Sequence, residues 1–206
     1  MGIYTLLIGI LIALAMSYIY ILALPMLDED YKSKIVPSDI MIISVSIVII
    51  ETLMYIAWRG NTCYYDLSAL NGTMIFMAYT DQRTKQVYVL PSLILIALGL
   101  VRTICACCVS TTEIIILVIS LLILFILSVS GMLGMGDWLI FLAIAIMYSY
   151  IKSFPIVSFL ICVFLSAILS VPYTIYRAIK KKDIKEHFPF TVYITIAVVV
   201  ESVFTI

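Results

Sequence analysis

Charge is scarce in this chain. Asp, Glu, Lys and Arg make up 12% of its 206 residues, about half the share of an ordinary soluble domain, and the acidic and basic totals cancel at 12 each. The deficit excludes a water-soluble enzyme. The cancellation removes the overall bias by which a protein gathers nucleic acid or an acidic substrate, so no nucleic-acid partner is expected. Histidine is reduced to His187 alone. Cys105 and Cys108 have C-x-x-C spacing, but a zinc site needs two further ligands and His187 lies far off in sequence, so no metal site is expected. The five cysteines, Cys63, Cys105, Cys107, Cys108 and Cys162, are odd in number and, Cys63 apart, sit in apolar runs. They read as small packing residues and not as a disulfide framework. Internal repeats and low-complexity tracts are lacking too. No Lys or Arg precedes Lys32 and no small-residue cleavage site follows the first apolar run, which is therefore expected to be a retained span and not a signal peptide.

Apolar residues fill the space that charge leaves: they are 65% of the chain, and the mean hydropathy is +1.23. At about 20 residues per crossing, a chain of this length holds at most about eight membrane helices and no sizeable soluble domain. Apolar runs separated by polar clusters predict spans over Ile3 to Leu24, Ile40 to Trp58, Leu67 to Thr80, Val87 to Val109, Ile114 to Val129, Asp137 to Tyr150, Ile156 to Tyr173 and Phe190 to Ile206. The third is interrupted by Asn71 and Thr73, so it must tilt, extend past Thr80 or be buried by its neighbours. The expected fold is an all-α polytopic membrane bundle of six to eight transmembrane helices, forming one domain over residues 1–206.

With eight crossings, loops one, three, five and seven share a side, and so do loops two, four and six. Nine of the 12 basic residues fall in the odd loops: Lys32, Lys34, Arg83, Lys85, Arg177, Lys180, Lys181, Lys182 and Lys185. The even side holds Arg59, Arg102 and Lys152. By the positive-inside rule the odd loops are cytoplasmic and both termini face outward. Asp81, closing the third span, and Asp137, opening the sixth, then lie at one depth at the cytoplasmic edge although 56 positions apart in sequence. Two carboxylates that share a site of low dielectric cannot both ionise easily. One keeps its proton, the pair holds a water, the ionised member activates it and the protonated member polarises a scissile carbonyl, which is the chemistry of an aspartic protease.

The local sequences add to this. Asp137 ends Gly134-Met135-Gly136-Asp137, and Asp81 lies in Tyr79-Thr80-Asp81-Gln82-Arg83-Thr84-Lys85-Gln86-Val87. Over roughly Ser68 to Ser153 the chain resembles the type IV prepilin peptidases and their archaeal preflagellin relatives, GxGD-type membrane aspartic proteases. Their first motif reads approximately Y-x-D-x-R-x-x-x-I-P-N and their second G-x-G-D. Tyr79, Asp81, Arg83 and Val87 match or nearly match the first, and Phe188-Pro189-Phe190 is a weaker echo of a Pro-Phe entering the last helix. Two departures stand out: Tyr88 replaces the proline, with Pro91 three residues on, and Trp138-Leu139-Ile140 replaces the usual Val-Lys-Leu.

The resemblance implies catalytic Asp81 and Asp137 supported by Tyr79, Arg83, Gly134 and Gly136, a prepilin-like precursor as substrate within the membrane lipid, and no metal or organic cofactor. The loop from Asp28 to Asp39 has no cysteine, so the methyltransferase insertion of bifunctional members is absent. The family's substrates carry a short basic leader, which Asp28, Glu29, Asp30 and Asp39 are placed to attract. The glycines would leave room for an extended substrate beside Asp137.

Plainer readings of the same residues exist. A glycine turn followed by an aspartate N-cap also accounts for Gly134 to Asp137, and Asp81, Arg83 and Lys85 also suit a charged interfacial loop. Glu51 and Glu201, each about 16 Å into its helix, are expected near the bilayer midplane. They read either as protonated acids hydrogen-bonded to a neighbouring helix or as the path of a small proton- or ion-coupled transporter. Glu113 and Arg102 are expected near the outer interface with no role. The cluster from Arg177 to Lys185 reads as a topological anchor that could also attract anionic lipid.

Overall fold

Helix α3, the third in chain order, organises the molecule, and it is the least apolar of the set. The computed structural model describes residues 3–27, 37–58, 61–106, 110–180 and 189–204, which form eight α-helices with no strand among them. They are α1 (Ile3–Leu27), α2 (Pro37–Trp58), α3 (Tyr64–Thr84), α4 (Val89–Ala106), α5 (Thr111–Val129), α6 (Met135–Ile151), α7 (Pro155–Ile179) and α8 (Phe190–Phe204). The expected all-α bundle is found, with boundaries shifted by a few residues at most ends. The largest changes are in α3, which gains a turn at its start and another past Thr80, and in α7, which continues through Pro172 to Ile179.

Four helices, over Ile3–Pro25, Ser38–Trp58, Thr111–Val129 and Pro155–Ile179, are long and apolar enough to cross a membrane, and α4, α6 and α8 are apolar but shorter. Their outward faces carry exposed Leu7, Leu11 and Leu22 on α1 and Ile115, Val118, Ile119, Leu122 and Ile126 on α5, the side chains that hydrocarbon solvates. The chain is a helical membrane protein.

The polar side chains go inward. Ser68, Asn71, Thr73, Thr80 and Asp81 of α3 are all buried, as are Ser17, Glu51, Thr195 and Ser202 on the surrounding helices. In lipid such groups need partners within the protein, and α3 finds them on each side. Ser17 of α1 donates to the Gly72 carbonyl at 2.8 Å, the hydroxyls of Tyr20 and Thr73 lie 3.3 Å apart, and Thr195 of α8 donates to the Met74 carbonyl at 3.1 Å. At about 1.5 Å per residue its 21 residues are about 31 Å long, yet α3 is not among the helices apolar enough to cross a membrane by composition. Gly72 permits the close approach of α1: a Cβ there would collide with the Ala13 carbonyl oxygen and stand 2.6 Å from Ala13 Cα.

Local signals set several helix ends. Ser110 and Glu113 form a capping box at the start of α5, which gives Glu113 a structural task that the sequence reading does not assign. Pro155 opens α7 from its first turn, where its missing N–H costs no helical bond. Lys85 ends α3 in the left-handed conformation (φ 59°, ψ 29°), its N–H donating to the Asp81 carbonyl at 2.9 Å. Gly131, at φ 79°, turns the chain from α5 to α6.

Candidate active site

Three helix ends meet at one end of the bundle. Asp81 sits in the last turn of α3, Asp137 in the first turn of α6 and Thr191 in the first turn of α8; Asp81 and Thr191 are fully buried and Asp137 nearly so. The Thr191 hydroxyl donates to Asp137 Oδ1 at 3.2 Å, and the Thr191 main-chain N–H donates to Asp81 Oδ2 at 3.3 Å. One residue thus touches both carboxylates. The first N–H groups of a helix have no partner within it, which leaves that of Thr191 to serve Asp81. Phe190 packs on Phe141, one turn beyond Asp137 (ring centroids 6.3 Å apart), and Thr195 ties the next turn of α8 to α3.

The two motifs touch one another. Gly136 lies against Val87, the last matched residue of the first motif: a Cβ on Gly136 would stand 2.7 Å from Val87 Cβ and 2.8 Å from its Cγ1. Gly134, the extended N-cap of α6 (ψ 142°), faces the carboxylate of Asp137 itself, whose Oδ2 would be 2.7 Å from an added Cβ. The positions that an added side chain would take at the two glycines are held by Val87 and by the carboxylate, because the turn folds the chain back on its own motif, while Gly134 itself stays exposed.

Comparison with protein-family models, curated proteins and solved structures finds no match. The site therefore stands on its own geometry.

Tyr79 and Arg83 face away from the carboxylates. They are one helical turn apart on one side of α3, whereas Asp81 is about 200° around the helix from Tyr79. Both meet Asp39 in the first turn of α2: the Tyr79 hydroxyl donates to Oδ1 at 2.5 Å, and Arg83 Nε is 3.7 Å from Oδ2. Asp39 is buried, so it is not the solvent-facing charge that would attract a basic leader. It joins α2 to the helix that carries Asp81. Asp28, Glu29 and Asp30, the other candidates for that task, lie outside the described residues.

Glu51 and Glu201 are both fully buried and have separate partners. Ser68 and Asn71 of α3 donate to Glu51 at 2.6 and 3.1 Å. Glu201 of α8 forms an ion pair at 3.1 Å with Lys152, at the end of α6 opposite Asp137. The Lys152 ammonium lies 4.8 Å from the Trp58 ring centroid, and Trp58 Nε1 donates to the Ser202 carbonyl at 2.6 Å. Lys152 counts as a loop cation in the sequence, yet its side chain is 1% exposed. Arg102 pairs with Asp66 at 3.1 Å. Arg177 is buried within the expected anchor cluster, while Lys181, Lys182 and Lys185 lie outside the described residues, as do Cys107, Cys108 and His187. Among the described residues no three His, Cys, Asp or Glu side chains gather as a metal site would require.

The sequence gives no motif signal for Thr191. Its one cue is position, directly after Pro189-Phe190.

Proposed function

We propose that this protein is a membrane-embedded aspartic endopeptidase that cuts the leader from prepilin-like or preflagellin-like precursors at the cytoplasmic face of the cell membrane, with Asp81 and Asp137 as the catalytic pair. The observation that carries this reading is the meeting of two buried carboxylates from distant parts of the chain, joined through Thr191 at a bundle end. The resemblance of the surrounding motifs supplies the substrate class, and the excess of basic residues in the odd loops supplies the sidedness.

In the reaction, the pair shares one proton. The ionised carboxylate takes a proton from water as it attacks the scissile carbonyl, the protonated one donates to the carbonyl oxygen, and the roles reverse as the tetrahedral intermediate collapses and the amine leaves. A position at helix ends suits this chemistry, since water must reach the carboxylates from one side while the apolar helix of the precursor stays in lipid. Tyr79 and Arg83 act at one remove, by fixing α3 to α2 through Asp39.

Cleavage of precursors by purified protein in detergent or liposomes tests the proposal. Wild type should yield a shortened product, and Asp81→Asn and Asp137→Asn should each abolish it while the bundle stays folded. Equal cutting by the variants would refute it. The transporter alternative predicts instead that Glu51→Gln is the disabling change; the hydrogen bonds from Ser68 and Asn71 support a structural role for Glu51.

A further inference from the structure

We infer that Thr191 is a positioning residue that sets the orientation of the two carboxylates, holding Asp137 by its hydroxyl and Asp81 by its main-chain N–H; this rests on the peptidase reading. The two donors leave one residue toward acceptors on two different helices. Their separation is fixed by the covalent geometry of a single residue, so the carboxylates cannot drift apart without breaking one bond or moving α8. Movement of α8 is opposed in turn. Thr195, one turn on, donates to the Met74 carbonyl of α3 and to the Thr191 carbonyl, and Phe190 packs against Phe141 of α6. Thr191 is thus anchored to the same two helices whose aspartates it touches.

The substitution that isolates the hydroxyl is Thr191→Val, which keeps the shape of the side chain and the N–H to Asp81. The assay uses the full-length protein in liposomes and a synthetic precursor with a basic leader ending in glycine before an apolar helix. Thr191→Val should lower kcat by about 10- to 100-fold with KM within about twofold of wild type, the pattern of a misoriented reacting group and not of lost substrate contact. Thr191→Ser, which restores the donor without the methyl, should recover most of kcat, and all variants should melt within a few degrees of wild type. If wild type cuts, Asp81→Asn and Asp137→Asn do not, and Thr191→Val cuts like wild type, the inference about Thr191 fails alone. A serine variant no better than valine, or a loss confined to KM, overturns it as well. An inert wild type removes the peptidase reading and this inference with it.

Discussion

Gly136→Ala is the smallest change that should uncouple the two motifs. The added Cβ would stand 2.7 Å from Val87 Cβ and 2.8 Å from Cγ1, where ordinary contact begins at 3.4 Å. The shortfall of about 0.7 Å must be met by moving the start of α6, which carries Asp137, away from the segment that follows Asp81. Overpacking of this kind costs about 1–3 kcal/mol of stability, and a displacement approaching 1 Å at reacting groups costs up to about 100-fold in rate. Gly136→Ala is therefore expected to lower the melting temperature in detergent modestly and kcat for precursor cleavage by about 10- to 100-fold. The contact geometry also grades the rescue. Val87→Ala removes Cγ1 but leaves the Cβ at 2.7 Å, so the Gly136→Ala/Val87→Ala double variant stays impaired; Val87→Gly clears the contact, so that double variant recovers. Unfolding and cleavage measured across the four proteins decide it. If Gly136→Ala matches wild type in both, or Val87→Gly gives no recovery, the two motifs are not in the contact described.

Two further outcomes follow from buried charge. Lys152→Met should destabilise the protein by about 3–5 kcal/mol because it leaves Glu201 buried without its cation, and joining it with Glu201→Leu should return much of the loss; equilibrium unfolding in mixed micelles measures both, and additive losses would refute the pairing. Asp39→Ala should cost about 0.5–1.5 kcal/mol through loss of the part-buried Tyr79 hydrogen bond, little of it from the half-exposed Arg83, with KM for a basic-leader precursor unchanged. A raised KM with undiminished stability would return Asp39 to the task of attracting the leader.

Helix existence was legible from the sequence because most spans face lipid, where hydropathy reports structure directly. Legibility failed where a helix is enclosed. The run from Leu67 to Thr80 reads as marginal since Asn71 and Thr73 interrupt it, but α3 is ringed by protein and turns those side chains toward Glu51 and Tyr20. The same limit hides Lys152, whose place in a loop between spans marks it as a surface cation while its ammonium is paired inside the bundle. Span order alone put the two aspartates at one end of the bundle, where Thr191 contacts both. Tyr79 and Arg83 were legible as a pattern and not as a contact, because their partner Asp39 is 40 positions away from Tyr79 and looks like any acidic helix start. Thr191 was invisible: threonines are common in membrane helices, and only the packing of α8 gives this one two carboxylates.

The enclosure of α3 also bears on how the protein is made. Its inward face meets α1 and α2, which precede it in the chain, and α8, which follows it with four helices between. A helix with this many polar groups is a poor candidate for stable insertion into lipid by itself. During synthesis α1 and α2 can shelter the Gly72 and Ser68 faces as soon as α3 leaves the ribosome, but the face bearing Asp81 gains its Thr191 contact only when α8 has been translated. The pairing of the aspartates is thus a late event of biogenesis, and a nascent chain stopped before α8 would hold both carboxylates without the residue that joins them.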